Sequence, residues 1–547
     1  TFLNRALILS PDHIEAAYNA GVILTETGNL GDAETVFRRA LNAPVARATT
    51  AVRISAHLRL LQLLSMQGRH NEWMREGQKF ASAYPDQDRS RLIESRIAHD
   101  RGELEREAEI LLPLAEQATV LADDVSALEL IGALLAILSY YDVPAQLLQR
   151  LHHRFRRAAR VVYPPLDALP SADANRQLQV GYLVDFLQPF VADFIGMLVG
   201  HHDLQRVSVR IYAVSPVEPA IHDALRAAGI ELISVATFDE HRAAQIIRAD
   251  DLDILVDVAG FGHYAKPGLL SRRPARVQLA LPGFTSPVGI GDLDYRLSDL
   301  VAERDISETT ANPVPIFLDG GVFPLLPVAQ DRSQLTREQL GIGAEVAVFG
   351  VLAAAARLSS RCITTWKALA DTLPDAVFFV CPLQVADREP IRKLLLAGGI
   401  DVARILMLPA SYMRARDVTL TGLVDVILDT MPGSDYFSTR AAIHDAIPLV
   451  SISGRMFEER VALSLLSHLG DHSTIAASGR DYVDIAVKLV QELSASPIAR
   501  TARTDRQRDL LRQSPIADLR CYVTQFEDVL FRAAALGSVP DRAEMSS

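Results

Sequence analysis

Two carboxylates lie where a parallel sheet would bring polar groups together. Asp185 ends the apolar segment LQVGYLVD (178–185), and Asp257 lies towards the end of DILVDVAG (253–260). Because the carboxyl ends of parallel strands share one edge of a sheet, we expect both side chains to face a ligand cleft. A carboxylate there can orient a substrate or exchange a proton. For Asp185 the alternative is capping of the helix that follows, and the sequence leaves both open.

The spacing of the histidines and cysteines does not predict a metal site. His152-His153 and His201-His202 lie in helical patterns, where adjacent side chains point to different faces, and no carboxylate accompanies them at zinc-site spacing. The chain has three cysteines without CxxC spacing, which are Cys362, Cys381 and Cys521. We therefore expect reduced thiols and no metal ion.

Composition indicates a globular chain that does not bind nucleic acid. Hydrophobic residues make up 49% of the 547 residues and charged residues 22%, with a formal net charge of −12. Such a length suggests about three to four domains. Acidic residues are spread along the chain, so no basic face for nucleic acid is expected. No secretory signal pattern opens the chain and no apolar run spans a membrane, so the cytoplasm is expected.

From about residue 176 onwards, strands and helices alternate. One series runs from LQVGYLVD to ARVQLAL (275–281), and a second runs from EVAVFGVLAAA (345–355) to IPLVSISG (447–454). Alternation of this kind predicts parallel sheets with helices on both faces, here in two Rossmann-like lobes that face a cleft. Neither series opens with a GxGxxG motif, which disfavours a dinucleotide oxidoreductase.

The N-terminal third of the chain has a regular period. Ala6 and Ala40 begin two similar segments, and Gly68 and Gly102 repeat the same spacing. That spacing is the period of the tetratricopeptide repeat, a helical hairpin in which small residues let two helices approach closely. A generic helical bundle is the alternative. A repeat stack usually presents a concave face to a protein partner.

Five segments resemble, in order, the O-linked N-acetylglucosamine transferase family, which includes the SPINDLY proteins. They are DDLDILVDVAGF (250–261), SRRPARVQLALPGF (271–284), GRMFEERVALSLLSHLG (454–470), DYVDIAVKL (481–489) and SPIADLRCYVTQFEDVL (514–530). The resemblance implies a tetratricopeptide superhelix followed by a GT-B fold of two lobes. The predicted parts are repeats at 1–120, a helical bridge and linker at 121–175, an acceptor-side lobe at 176–335 and a nucleotide-side lobe with a closing helix at 336–547.

The resemblance also implies an activity. In this family a protein serine or threonine hydroxyl displaces UDP from UDP-N-acetylglucosamine with inversion and without a metal ion. A lysine and a helix N-terminus stabilise the leaving pyrophosphate, as expected for fixed donors that meet negative charge. We therefore expect a UDP-sugar donor, no other cofactor, and a protein acceptor along the repeat face.

Several positions that match the family's site carry other residues. Gln188 occupies the position of a family histidine that lies beside the reacting sugar. A glutamine can donate a hydrogen bond but cannot accept a proton near neutral pH. Arg357 occupies the position of the family's phosphate-facing lysine and carries the same positive charge. Arg414 or Arg416 corresponds to a further basic group, and Gly283 lies in the counterpart of a donor-side loop, where TSPV replaces the family's motif.

The turn after LDT (428–430) departs furthest from the family. The segment 435–439, which reads Asp-Tyr-Phe-Ser-Thr, stands where the family has a Gly-His-Thr-Thr helix start, and Ala441 replaces the aspartate that holds the ribose. The resemblance assigns donor contacts here to Tyr436, Phe437, Ser438 and Thr439. Asp435 is expected to bring negative charge towards the pyrophosphate.

Two other functions remain open at this point. Gln188, Ala353 and Ala441 replace functional residues of the family and favour a pseudoglycosyltransferase that acts as a repeat-based binding scaffold. A GT-B enzyme of another kind, such as a sugar-nucleotide epimerase, is the second alternative. The repeats argue against it, because an enzyme of small molecules has little use for a peptide-binding superhelix.

Overall fold

The structure of the chain is a computed structural model. It describes residues 13–42, 50–67, 69–138, 141, 143–170, 176–186, 191–260, 266–281, 292–303, 313–328, 332–383, 387–409 and 418–539. The chain divides into two compact units, Thr1–Leu114 with Val385–Lys393, and Ala115–Gln384 with Leu394–Ser547. Among the described residues, no helix has the length and apolar character needed to cross a membrane.

The first unit is built from helical hairpins. Its helices are α1 (Ile14–Glu26), α2 (Leu30–Asn42), α3 (Thr50–Met66), α4 (His70–Ala83), α5 (Asp88–Arg101) and most of α6 (Leu104–Thr119). Gly28 makes the turn between α1 and α2 with a φ of 78°, a left-handed conformation that suits glycine. Gly21 of α1 lies against the buried ring of Phe37 in α2, so the two helices approach closely. The predicted tetratricopeptide-type packing is confirmed in these hairpins.

Helices α7 (Asp124–Leu138) and α8 (Ala145–Val162) form a further packed pair within the second unit. Arg156 and Arg160 of α8 both bind Asp292, which is buried in the first lobe, at 3.0 Å and 2.8 Å. Charge-assisted bonds of this kind are among the stronger polar contacts in proteins. The helical bridge is thus fixed to the lobe that follows it.

The first lobe contains a parallel sheet with strand order β3-β2-β1-β4-β5-β6-β7 among the described residues. The strands are β1 (Leu178–Val184), β2 (Val207–Ala213), β3 (Glu231–Ser234), β4 (Ile254–Asp257), β5 (Val277–Ala280), β6 (Tyr295–Ser298) and β7 (Val314–Phe317). The connecting helices are α9 (Val191–His201), α10 (Pro219–Ala227), α11 (Glu240–Ala249) and α12 (Pro267–Ser271). Strand β4 is buried throughout, as expected for a parallel strand covered on both faces.

The second lobe contains a parallel sheet with strand order β11-β10-β9-β13-β14-β15, beside a small pair, β8 with β12. The strands are β8 (Ser333–Gln334), β9 (Val348–Ala353), β10 (Val377–Pro382), β11 (Ile405–Met407), β12 (Val418–Thr419), β13 (Val426–Leu428), β14 (Leu449–Ile452) and β15 (Ile475–Ala476). The helices are α13 (Ser360–Thr372), α14 (Arg388–Ala397), α15 (Tyr436–His444), α16 (Val461–Leu469), α17 (Gly479–Ala495), α18 (Pro497–Gln513) and α19 (Leu519–Leu536). The predicted architecture of two Rossmann-like lobes is confirmed.

The two lobes are joined by buried polar contacts. Asp299, just after β6, accepts a hydrogen bond from the Ser464 hydroxyl of α16 at 2.6 Å. Arg460 donates to the carbonyl oxygen of Val301 at 2.6 Å. Strand β8 already pairs with β12 at residues 333–334, just ahead of the predicted start of the second lobe at 336. The predicted division of the chain itself stays a prediction.

Candidate active site

The start of α15 is the centre of the candidate site. Strand β13 ends at Leu428, and a short turn leads from it into α15, so the helix begins at the carboxyl edge of the second sheet. In folds of this kind, ligands bind at that edge and at helix N-termini. The helix begins because Asp435 caps it: its Oδ1 accepts hydrogen bonds from the backbone N–H groups of Phe437 at 2.8 Å and Ser438 at 2.9 Å.

A second carboxylate, Asp429, holds the turn before the helix. Its Oδ2 accepts from the hydroxyls of Ser434 and Ser451, both at 2.6 Å, and its Oδ1 accepts from the backbone N–H of Asp435 at 2.9 Å. Asp429 is fully buried, and burial raises its pKa to about 6. These bonds fix the position of Asp435.

Arg357 lies beside the helix start. It ends the 3-10 helix Ala355–Arg357, which follows β9, the neighbour of β13 in the sheet. Its Nε lies 3.1 Å from Oδ2 of Asp435, and one terminal nitrogen donates to the carbonyl oxygen of Ser434 at 3.1 Å. The structure thus brings the predicted phosphate-side arginine to the predicted helix. Contact of Arg357 with a diphosphate stays a prediction.

The hydroxyls of the first helical turn are bonded within that turn. The Ser438 hydroxyl donates to the carbonyl oxygen of Asp435 at 3.1 Å and lies 3.2 Å from Oδ1 of Asp429. The Thr439 hydroxyl donates to the same Asp435 carbonyl at 2.8 Å. Both side chains are fully buried. Their predicted donor contacts therefore require these hydroxyls to exchange partners.

Two predicted donor-binding residues, Tyr436 and Phe437, are part of the hydrophobic core. Tyr436 is 1% exposed, and its hydroxyl donates to the carbonyl oxygen of Pro324 at 2.7 Å. Burial raises the pKa of Tyr436 to about 12. Phe437 is also buried, with its ring edge-on to Tyr436. Large aromatic side chains gain much from burial, which accounts for this packing, and their predicted donor contacts stay predictions.

The two strand-end carboxylates of the first lobe do share one edge. Strands β1 and β4 are parallel neighbours with Leu183 opposite Asp257, so Asp185 and Asp257 leave the sheet together. Both are buried. Asp257 accepts from the backbone N–H groups of Ala259 and Gly260 at 3.1 Å and 3.2 Å, and burial raises its pKa to about 6. A carboxyl group with such a pKa can exchange a proton near neutral pH.

Three predicted site residues, Gln188, Gly283 and Arg414, lie outside the described residues, as does Arg416. Their predicted roles stay predictions. Within the described ranges, no group of three or more His, Cys, Asp or Glu side chains could hold a metal ion. Transfer without a metal ion also stays a prediction.

Sequence reasoning missed the ion pair between Asp435 and Arg357. It placed both residues near the pyrophosphate, one as an opposing charge and one as a binding group. A signal was present, since Asp435 stands three positions before Ser438 at the start of a helix, the spacing of an N-cap. The pairing with Arg357 could not be read from spacing, because the two residues lie in separate elements that are remote in the chain.

The two lobes, with a helix that begins at the carboxyl edge of the second sheet, have the architecture of the GT-B fold. The chain belongs to glycosyl transferase family 41, whose family model matches residues 161–309 and 328–526. The match covers both lobes and includes Asp185, Asp257, Arg357 and Asp435.

The chain is similar to plant proteins of the SPINDLY group. It is 23% identical over 410 residues to the probable UDP-N-acetylglucosamine–peptide N-acetylglucosaminyltransferase SPINDLY of Solanum lycopersicum, covering 73% of this chain and 43% of that protein. It is 24% identical over 384 residues to the Arabidopsis thaliana protein of the same name, covering 68% and 41%. The chain thus spans less than half the length of these relatives.

A solved structure matches nearly the whole chain. It is a mutant of the O-GlcNAc transferase of Thermobaculum terrenum, with a TM-score of 0.76 and 19% identity over 96% of this chain and 98% of that one. At this identity the likeness establishes the fold, including helical repeats ahead of the two lobes.

Proposed function

We propose that the chain is a protein glycosyltransferase that uses a UDP-sugar. The most suitable donor is UDP-N-acetylglucosamine and the acceptor is a serine or threonine hydroxyl. The observation that carries this proposal is the pairing of family membership across both lobes with an arginine, Arg357, beside the N-terminus of α15. The names of the plant relatives, probable peptide N-acetylglucosaminyltransferases, support the same donor and a peptide acceptor.

In the proposed reaction the acceptor oxygen attacks the anomeric carbon from the face opposite to UDP. The bond from that carbon to the phosphate oxygen breaks, the sugar is inverted, and UDP leaves with the bonding electrons. Arg357 and the amides of the first turn of α15 stabilise the developing charge on the diphosphate. No metal ion is part of this proposal.

The acceptor hydroxyl loses a proton during this step. Asp185 and Asp257 lie at the carboxyl ends of the neighbouring strands β1 and β4, and we assign proton acceptance to this pair. The raised pKa of Asp257, about 6 because of burial, suits a group that takes up and releases a proton near neutral pH. Gln188 is assigned to orient the sugar by hydrogen bonding, since an amide cannot act as the base.

The helical hairpins of α1–α6 are assigned to bind the acceptor protein. Stacked helical repeats bury their apolar faces against one another and leave an extended surface for a polypeptide. This assignment is part of the proposal and depends on the repeat packing of the first unit.

The second candidate function is a binding scaffold without catalysis. It is favoured by one observation in the nucleotide lobe: Asp435 already occupies both Arg357 and the first amides of α15. Ala441, which replaces the family's ribose-binding aspartate, also favours the scaffold function.

Calorimetric titration with UDP and with UDP-N-acetylglucosamine tests the proposal, with EDTA present and again with Mg²⁺. We expect micromolar binding that does not depend on the metal. Arg357→Ala should weaken it at least about tenfold, because a charge-assisted phosphate contact is lost. The matched control is Arg361→Ala, an exposed position on α13 close to Arg357 in sequence, which should leave the affinity unchanged.

Transfer is then measured by mass spectrometry of proteins incubated with the donor. A gain of one N-acetylhexosamine on serine or threonine supports the proposal. Absence of binding to these and other common sugar nucleotides, with a folded protein by circular dichroism, would contradict the transferase and leave the scaffold.

A further inference from the structure

The carboxylate of Asp435 makes two kinds of contact. One oxygen accepts from the backbone N–H groups of Phe437 and Ser438, and the other lies 3.1 Å from Nε of Arg357. The Asp435 side chain is 0% exposed and the Arg357 side chain 10% exposed. The contact is therefore shielded from water, and salt screens such pairs only weakly.

These two groups are the ones that a phosphate would use. The N-terminus of a helix offers free N–H groups and a partial positive charge, and an arginine offers a planar fork that matches phosphate oxygens. In this chain a single carboxylate binds both.

The charge around the site already includes a second carboxylate. Asp429 is fully buried, and its Oδ1 accepts from the backbone N–H of Asp435 at 2.9 Å. The described residues at this turn thus contribute two carboxyl groups and one guanidinium. A diphosphate that enters meets like charge at short range, where repulsion is strong because the groups are buried.

We propose that Asp435 is an internal occupant of the donor's phosphate position and sets the affinity of the chain for nucleoside diphosphates. This inference rests on the proposed function, since it takes the start of α15 as the place where the donor binds. To bind a diphosphate, the Asp435 carboxylate must release Arg357 and the two amides. Asp435 is thus a specificity-determining residue that weakens diphosphate binding.

The test replaces Asp435 by neutral residues that still cap a helix. Asp435→Ser and Asp435→Asn each keep an oxygen that can accept from the first-turn amides, and neither carries a charge. We expect both to bind UDP at least about tenfold more tightly than the unaltered chain, since Arg357 is released and one like charge is removed. Inorganic pyrophosphate, which lacks base and sugar, should show the same gain, because the effect acts at the phosphates.

A matched control is Asp239→Asn. Asp239 caps α11 in the first lobe and accepts from the backbone N–H of Arg242 at 2.7 Å, so the substitution removes one capping charge elsewhere. Its affinity for UDP and pyrophosphate should equal that of the unaltered chain. Circular dichroism and thermal denaturation check the fold of every variant.

A second comparison covers the case in which the single variants do not fold, because they leave Arg357 buried without its partner. The double variant Asp435→Ser with Arg357→Gln has no unpaired buried charge at this place. It should bind UDP more tightly than Arg357→Gln alone, since one like charge is removed and a neutral cap competes less for the amides.

The outcomes separate this inference from the proposed function. Tighter binding of UDP by the Asp435 variants supports the inference. If, in addition, the unaltered chain binds no UDP, the result favours the scaffold function over the transferase. Equal micromolar binding by the unaltered chain and the variants overturns the inference and leaves the transferase. Absence of binding by every version overturns both.

Discussion

At the residue scale, burial controls the acidity of the carboxylates at both sheet edges. Asp257 in the first lobe and Asp429 in the second are buried, and for each of them burial raises the pKa to about 6. Hydrogen bonds from backbone N–H groups or serine hydroxyls oppose the rise without cancelling it. Both edges therefore hold carboxyl groups whose charge changes near neutral pH.

Replacing Asp257 should change the pH dependence of stability. The pKa of this group rises from 3.8 to about 6 on folding, so between these values the folded chain holds its proton more tightly than the unfolded chain. Its contribution to the free energy of unfolding is present below about pH 4 and is lost as the pH rises through 6. Asp257→Asn should remove up to about 3 kcal/mol of this change, because each pKa unit corresponds to about 1.4 kcal/mol.

Urea denaturation at several pH values between 4 and 7 measures the effect. The amide oxygen of the introduced asparagine can still accept from the same backbone groups, so the turn should be kept. The control is Asp223→Asn, at a side chain that is 74% exposed. It should leave the slope of the unfolding free energy against pH unchanged. If the unfolding free energy of Asp257→Asn and that of the unaltered chain depend equally on pH, the raised pKa of Asp257 is contradicted.

At the scale of elements, close helix contact defines the repeat hairpins. A Cβ atom on Gly21 of α1 would lie 2.6 Å from Cε1 of Phe37, whose ring is fully buried in α2. The ring is held by the core around it, so it cannot move away without loss of packing. The hairpin therefore depends on the absence of a side chain at this position.

Gly21→Ala should destabilise the α1–α2 hairpin by about 1–3 kcal/mol, the usual cost of overpacking a core. Hydrogen exchange of the α1 and α2 amides in the full chain reports this locally. Gly31→Ala on α2 is the matched control: a Cβ there meets no atom within 4 Å, and the better helix propensity of alanine should slow exchange slightly. Unchanged exchange in Gly21→Ala would show that Phe37 can repack.

At the scale of the whole molecule, α19 is bonded to the first lobe. Glu527 of α19 accepts from His202 Nδ1 and from the backbone N–H of Asp203, both at 2.8 Å. The other ring nitrogen of His202 lies 2.7 Å from the Tyr182 hydroxyl of β1. This buried network fixes α19 against a sheet that is formed by a much earlier part of the chain.

Glu527→Ala should cost about 1–3 kcal/mol of unfolding free energy, because it leaves the buried ring N–H of His202 without its partner and also removes the acceptor of the Asp203 backbone N–H. Urea denaturation measures the loss. Asp528→Ala removes the adjacent carboxylate, which is 62% exposed and pairs with Arg206 at 3.2 Å, and should cost less than about 1 kcal/mol. Similar losses in the two variants would show that the network adds nothing beyond a surface ion pair.

Local patterns were sufficient for most of the fold. Strands β1 and β9 and the helices between strands follow from alternation of apolar segments, since burial on both faces of a parallel sheet requires continuous apolar runs. The short strands β6 and β7 were not predicted, because such brief segments near a sheet edge carry too little pattern. The regular period of the N-terminal third predicted the repeat hairpins, since each hairpin needs small residues at the same contacts.

The sequence by itself determined that strands and helices alternate in the second lobe, and its resemblance to the family singled out Arg357 and the start of α15, each of which follows a strand of that lobe. Only the tertiary structure decided what these groups bind. The pairing of Asp435 with Arg357 and the burial of Tyr436 depend on distances between segments remote in the chain. A local pattern sets which element forms, whereas the partners of a charged or aromatic side chain are chosen by the space and the solvent that folding leaves around it.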